Sequence, residues 1–223
     1  MMIRVVGAGP GASGYLTGEG ELVIKNSRVL VGGKRILDAL SAPPEKRIEL
    51  PPDGMAAAVV KVLERESAGG EVTLVVSGDP GFYSLAKKVA EHFGRENVSI
   101  TPGISSIQIL AARLCRSWVG VASATIHGRA RPDIAELAAR AANAPALVVL
   151  FGAPEEVSGH IGWMSQRHEL ASARAAIGWD LGLPEERIFE SESLSELEAC
   201  PHMGRLALLW LETKKEEARD AGQ

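Results

Sequence analysis

The sequence predicts an α/β protein made of two small α/β domains, and three observations carry that expectation. Short β-branched runs recur along the chain, amphipathic helical stretches separate several of them, and the pattern starts afresh after residue 116. The runs that read as strands are 3–6, 29–31, 47–49, 72–76, 98–100, 124–126, 147–150, 175–179 and 206–211. Helical spacing joins Phe82, Leu85, Ala86, Val89 and Phe93, then Ile104, Ile107, Ala111 and Leu114, then Ile134, Leu137, Ala138 and Ala141. Strands separated by helices imply parallel β-α-β units. The break is expected at 116–123, giving an N-terminal domain, 1–116, with a glycine-rich loop, and a C-terminal domain, 117–223.

Composition narrows the function. Of 223 residues 46% are hydrophobic and 4% aromatic, so the core must be aliphatic. A net charge of -4 with intermixed signs gives no basic face, which argues against a nucleic-acid binder. The longest apolar run, 146–151, is too short to cross a bilayer. Cys115 and Cys200 form no CxxC pair, so neither a disulfide framework nor a metal site is expected. The N-terminus enters a strand pattern directly, unlike a signal peptide. A reducing cytoplasm is the expected location. The charged tail, 212–223, is expected to fray.

The first strand runs into Gly7-Ala8-Gly9-Pro10-Gly11-Ala12, which fits the dinucleotide pattern GxGxxA. Two features oppose a nicotinamide reading. Helical spacing starts only near Thr17, and the second strand ends Val31-Gly32-Gly33-Lys34-Arg35 with no acid for a ribose. What the glycines supply is backbone that can approach a flat ligand, or simply a tight strand-to-helix turn.

Four more loops stand at expected strand ends, where open α/β sheets bind ligands. In Ser77-Gly78-Asp79-Pro80-Gly81-Phe82, Asp79 reads as a ligand contact, as the cap of a helix begun by Phe82, or as both at once. In Thr101-Pro102-Gly103-Ile104-Ser105-Ser106, two hydroxyls crowd one helical first turn, suited to polar ligand atoms or to plain capping. His127-Gly128-Arg129, with Arg131 nearby, offers a ligand-facing or a structural histidine. Leu150-Phe151-Gly152 is apolar and suits a flat ring.

Taken in order, the GxGPG start, the SGDPxFY loop, the PGISS turn and the HGR segment resemble the tetrapyrrole (corrin/porphyrin) methylase family, over about residues 3–211. VGGKR after the second strand, with HGR, is similar to the branch that methylates C5 of a late corrin precursor, precorrin-6Y or cobalt-precorrin-7. The resemblance implies S-adenosylmethionine in a cleft between two α/β domains, a homodimer, and a tetrapyrrole substrate fringed with carboxylates. Carried over, the cofactor contacts are Pro10, Ser77, Gly78, Asp79, Phe82, Ser105, Ser106, Phe151, Asp180 and Leu181. Gly9, Gly11, His127, Arg129 and Arg131 fall to the substrate, with Lys34 and Arg35 as further cations.

No catalytic triad is expected, because a methyl sulfonium is already activated and needs positioning rather than covalent help. Two segments depart from the branch: Phe151-Gly152-Ala153-Pro154 replaces Thr-Asp and a glycine-rich run, and Trp179-Asp180-Leu181-Gly182 replaces Glu-Asn. Some relatives continue past the equivalent of Leu211 into a domain for C15 methylation and decarboxylation, so that activity is expected on a partner protein. Rival readings are another tetrapyrrole methylase acting on a different carbon or on uroporphyrinogen III, diphthine synthase, and a non-catalytic tetrapyrrole-binding module.

Overall fold

A computed structural model describes residues 2–10, 13–52, 54–126, 132–152, 154–201 and 203–212. The chain forms two compact units, 1–106 and 107–223. Their division precedes the stretch 116–123 because most of the helix Ser106–Arg113 belongs to the second unit.

The first unit holds strands β1 (Ile3–Gly7), β2 (Leu30–Gly33), β3 (Arg47–Leu50), β4 (Val72–Val76) and β5 (Val98–Thr101), all parallel, in the order β3-β2-β4-β1-β5. β4, Val-Thr-Leu-Val-Val, is buried at every position, as a central parallel strand covered on both faces must be. Val72, Leu74 and Val76 join Val59 and Leu63 of α3 (Met55–Ser67) and Val89 of α4 (Ala86–Phe93) in one cluster. Val75 joins Leu30 and the Ile36–Leu37 pair of α2 (Lys34–Ala39), against which Ile24 of α1 (Gly18–Asn26) packs. Each buried aliphatic side chain of this size contributes about 1.5–3 kcal/mol. The one polar member of β4, Thr73, exchanges a 2.6 Å hydrogen bond with the Ser27 hydroxyl, so its burial leaves that group satisfied.

Thr17 caps α1, its hydroxyl accepting from the Gly20 N–H at 3.1 Å, where helical spacing was expected to start. The helical pattern from Phe82 is cut short: α4 begins only at Ala86, because the preceding chain is bent and Tyr83 sits at φ 49°.

The second unit holds α5 (Ser106–Arg113), β6 (Ala122–Thr125), α6 (Ile134–Ala142), β7 (Ala146–Leu150), α7 (Val157–Met164), α8 (His168–Ala171), β8 (Ala175–Trp179), β9 (Arg187–Ser191) and β10 (Ala207–Glu212). Its sheet runs β6-β7-β10-β8-β9 and departs from the expected parallel pattern. Only β6 and β7 pair parallel; β10 inserts between β7 and β8, antiparallel to both, and β9 is antiparallel to β8. The short link from Trp179 to Arg187 leaves no room for a crossover helix, so β8 and β9 form an antiparallel pair. β9 itself is absent from the expected strands. It is a partly exposed edge strand, Arg-Ile-Phe-Glu-Ser, with Ile188 and Phe189 adjacent rather than alternating. Leu147, Val149, Ile177, Leu209 and Leu211 pack with Leu137 of α6, Ile161 of α7 and Leu170 of α8. Among the described residues no helix is long and apolar enough to cross a membrane.

Candidate functional site

Three neighbouring strands of the first unit, β4, β1 and β5, end at one edge of the sheet, with Gly7 level with Val76 and Val6 level with Thr101. Their loops converge there. Gly9 and Gly78 form an isolated antiparallel bridge: the Gly78 N–H donates to the Gly9 carbonyl at 2.6 Å, and the Gly9 N–H to the Gly78 carbonyl at 3.2 Å. Both glycines lie at positive φ, 65° and 68°, which side chains resist. Gly7 and Gly103 are required for a different reason. A Cβ on Gly7 would stand 2.6 Å from the Gly78 carbonyl oxygen and 2.7 Å from the Gly103 nitrogen; one on Gly103 would meet the Gly7 backbone at 2.7 Å.

The side chains tie the same loops together. Asp79 accepts from the Gly81 N–H at 2.7 Å with one carboxylate oxygen and from the Gly103 N–H at 3.1 Å with the other. It therefore closes its own turn and fastens it to the loop after β5. It does not cap α4, whose first amide, Ala86 N–H, donates to the Ser84 hydroxyl at 3.1 Å instead. Ser77 is exposed; Phe82 is half-buried, its ring edge-on to Tyr83 at 4.9 Å. Ser105 is buried, and Ser106 opens α5 half-buried. Pro10 and Gly9 are buried. The first unit thus gathers Gly9, Pro10, Ser77, Gly78, Asp79, Ser105 and Ser106, with Phe82 at the end of the Asp79 turn.

The two expected cations among the described residues, Lys34 and Arg35, have intramolecular partners. Lys34 pairs with Asp38 at 2.8 Å, and Asp38 also holds Arg47 at 2.7 Å, while Arg47 meets Glu49 as well. The hydrogen bond from Lys34, then that from Arg47, holds the Asp38 carboxyl below the ordinary carboxylate range; Asp38 in turn raises Lys34. Arg35 donates to the Pro10 carbonyl at 2.9 Å and to the Ser77 hydroxyl at 3.0 Å. That contact is invisible in the sequence, which shows only a cation near a loop. Likewise, nothing in the spacing of Gly7 and Gly103 announces that their backbones touch.

In the second unit β6, β7 and β8 run in one direction, so Thr125, Leu150 and Trp179 end at a shared sheet edge. Phe151 is buried there, its N–H donating to the Ala207 carbonyl at 3.2 Å and its ring stacked on His160 at 5.8 Å. Asp180 is buried at φ 45°, and its carboxylate accepts from the N–H groups of Arg205 and Leu206, each at 3.2 Å. Leu181 is buried against Gly178, where a Cβ would stand 2.7 Å from the leucine methyl. Gly11, His127, Arg129 and Arg131 lie outside the described residues. Among those described, no three potential metal ligands gather.

The model of the tetrapyrrole (corrin/porphyrin) methylases matches residues 2–198. The probable cobalt-precorrin-7 C(5)-methyltransferase of Methanocaldococcus jannaschii is 32% identical over 57% of this chain. The matched stretch spans 61% of that relative's own length, a little under two thirds. Among solved structures, the precorrin-6Y methylase of Archaeoglobus fulgidus superposes with a TM-score of 0.73 at 21% identity, covering 96% of this chain and 98% of the other. The uroporphyrin-III C-methyl transferase of Thermus thermophilus, crystallised with S-adenosylhomocysteine, also gives 0.73 at 21% identity, covering 95% and 97%. The equal scores show a shared fold and do not separate one ring carbon from another.

Proposed function

The chain belongs to the tetrapyrrole (corrin/porphyrin) methylases, and from that premise we propose that it transfers a methyl group from S-adenosylmethionine to C5 of a late corrin precursor, cobalt-precorrin-7 or precorrin-6Y. What supports the choice of carbon is the similarity to the probable cobalt-precorrin-7 C(5)-methyltransferase of M. jannaschii, together with the VGGKR and HGR segments. The support for the cofactor is the convergence of three strand-end loops, and the S-adenosylhomocysteine held by the T. thermophilus protein.

The residues at that edge fit such a ligand. Ser77 and Ser106 offer hydroxyls for a carboxylate or a ribose, α5 opens with its first-turn amides beside Ser105 and Ser106, and Phe82 offers an apolar face. An ideal Cβ at Gly78 would stand 3.7 Å from the Ser105 Cα, an ordinary van der Waals contact, so the Gly78 turn lies against the loop that carries Ser105. Phe151, Asp180 and Leu181 are the contacts proposed from the second unit, with Pro10 toward the transferred methyl. Gly9, Gly11, His127, Arg129 and Arg131 are assigned to the substrate.

S-adenosylmethionine supplies an activated methyl, so the protein's task is alignment and exclusion of water. Alignment alone is worth on the order of 7–11 kcal/mol. Loops fastened by backbone bridges and by Asp79 suit that task, since they hold their shape before any ligand arrives. The same reading makes the protein a cytoplasmic homodimer; the resemblance supports the dimer and the two free cysteines support the location.

The test is turnover with methyl-labelled cofactor on cobalt-precorrin-7, on its metal-free counterpart and on uroporphyrinogen III, with the new methyl located by carbon NMR. Label at C5 of either is the expected result, and the better of the two gives the metal state of the substrate. Label at another carbon, or only in uroporphyrinogen III, would move the protein to another branch. Binding without turnover would make it a non-catalytic module.

A further inference from the structure

We propose that Arg35 is a positioning residue that fixes the Pro10 carbonyl and commits the Ser77 hydroxyl to donate toward the bound ligand. The inference rests on the cofactor site proposed above and names how that site is prepared.

Arg35 stands just past the end of β2, whereas Pro10 and Ser77 follow β1 and β4. In the order β3-β2-β4-β1-β5, the side chain must cross the end of β4 to reach the loop after β1. With strands about 4.8 Å apart, that is a span of roughly 10 Å between strand axes. Few side chains cover it, and fewer offer two nitrogens at the far end. One nitrogen reaches the Pro10 carbonyl at 2.9 Å and the other the Ser77 oxygen at 3.0 Å.

A guanidinium has donors only and keeps its charge at all working pH values. The Ser77 oxygen must therefore be the acceptor in that contact. Its own proton is left to point elsewhere, and Ser77 is exposed, so the natural recipient is an acceptor on a ligand: a carboxylate, a ribose oxygen or a ring nitrogen. The same fork holds the Pro10 carbonyl, whose residue borders the Gly9–Gly78 bridge. Arg35 thus joins the loop assigned to the methyl and the loop assigned to the cofactor. In this role it is not part of a basic rim for the substrate's carboxylates.

Lysine keeps the charge and loses the fork, which makes Arg35→Lys the discriminating variant. Calorimetric titration with S-adenosylhomocysteine would compare the unaltered protein with Arg35→Lys, Ser77→Ala and the double variant, alongside their melting temperatures. Each single change should weaken binding about tenfold, the double no more than the worse single, with melting temperature nearly unchanged. Hydrogen exchange at the Gly9 and Gly78 amides should quicken in Arg35→Lys without ligand. Full affinity in Arg35→Lys, additive losses, or a fall in melting temperature large enough to account for lost binding would each overturn the inference. If the unaltered protein does not bind the probe, the methylase reading fails first and this inference falls with it.

Discussion

The two units build strand-end loops from opposite materials. In the first, backbones touch: Gly7 and Gly103 meet each other and the Gly78 carbonyl where neither has room for a Cβ, and Asp79 and Arg35 stitch the loops together. In the second, side chains fill the edge: Phe151 stacks on His160, Leu181 sits over Gly178, and the Asp180 carboxylate holds two amides at the entry to β10. The contrast separates two meanings of a loop residue. An exposed group such as Ser77, on a frame made by others, is available to a ligand. The buried Asp180 carboxylate, held by two amides, serves the frame whatever contact the residue also makes with a ligand.

If that distinction is right, adding one methyl group to the first edge should cost more than removing a carboxylate from the second. Gly103→Ala places a Cβ against the Gly7 and Gly78 backbones, which cannot rotate away as a side chain could. A loss of about 3 kcal/mol in urea unfolding is expected, at the upper end for overpacking. Wild-type stability would show that the loops are not in contact in solution.

Asp180→Ala strips acceptors from two amides, and about 2 kcal/mol should be lost. Asp180→Asn keeps an acceptor oxygen and tolerates a left-handed backbone, so it should recover more than half of that loss. Equal losses in both variants would mean that the charge, not the hydrogen bonds, is what matters. Gly159, inside α7 and with no described atom beyond its chain neighbours and the helix backbone within 4 Å of an added Cβ, is the control: Gly159→Ala should stabilise by about 0.5–1 kcal/mol.

The smallest effect belongs to Asp38. Its folded pKa is depressed, so its contribution is present above the unfolded carboxylate pKa and is lost as pH falls through the lower folded value. An NMR titration of the Asp38 carboxyl should show a midpoint below that of an unfolded aspartate. Lys34→Ala should move the midpoint up, since the Lys34 hydrogen bond is the first cause of the depression. The group is fully exposed, so little change in global stability is expected.

Much of the fold was legible in the sequence. β4 and the helix patterns around Val89, Ile107 and Leu137 were readable because burial imposes a period on apolar residues. Strand direction in the second sheet was not, because a period says nothing about which way a strand runs. β9 was missed for a related reason, since an edge strand needs no apolar face. At the site, the gathering of Gly9, Ser77, Gly78, Asp79 and Ser105 followed from reading loops at strand ends. For Asp79 the sequence offered a ligand contact and a helix cap, and neither reading contains what the structure shows: it fastens two loops and leaves the capping to Ser84. Arg35 was placed at the right edge, but its hydrogen bonds to Pro10 and Ser77 could not be seen, because residues far apart along the chain meet only through strand order.

The central claim is that the loops after β1, β4 and β5 hold a methyl-donor nucleoside. Backbone amide NMR of the protein titrated with S-adenosylhomocysteine tests it most directly. The amides of Gly78, Asp79, Phe82, Ser105 and Ser106 should shift together and saturate at one ligand concentration. Saturable binding that leaves all five unmoved would contradict the assignment.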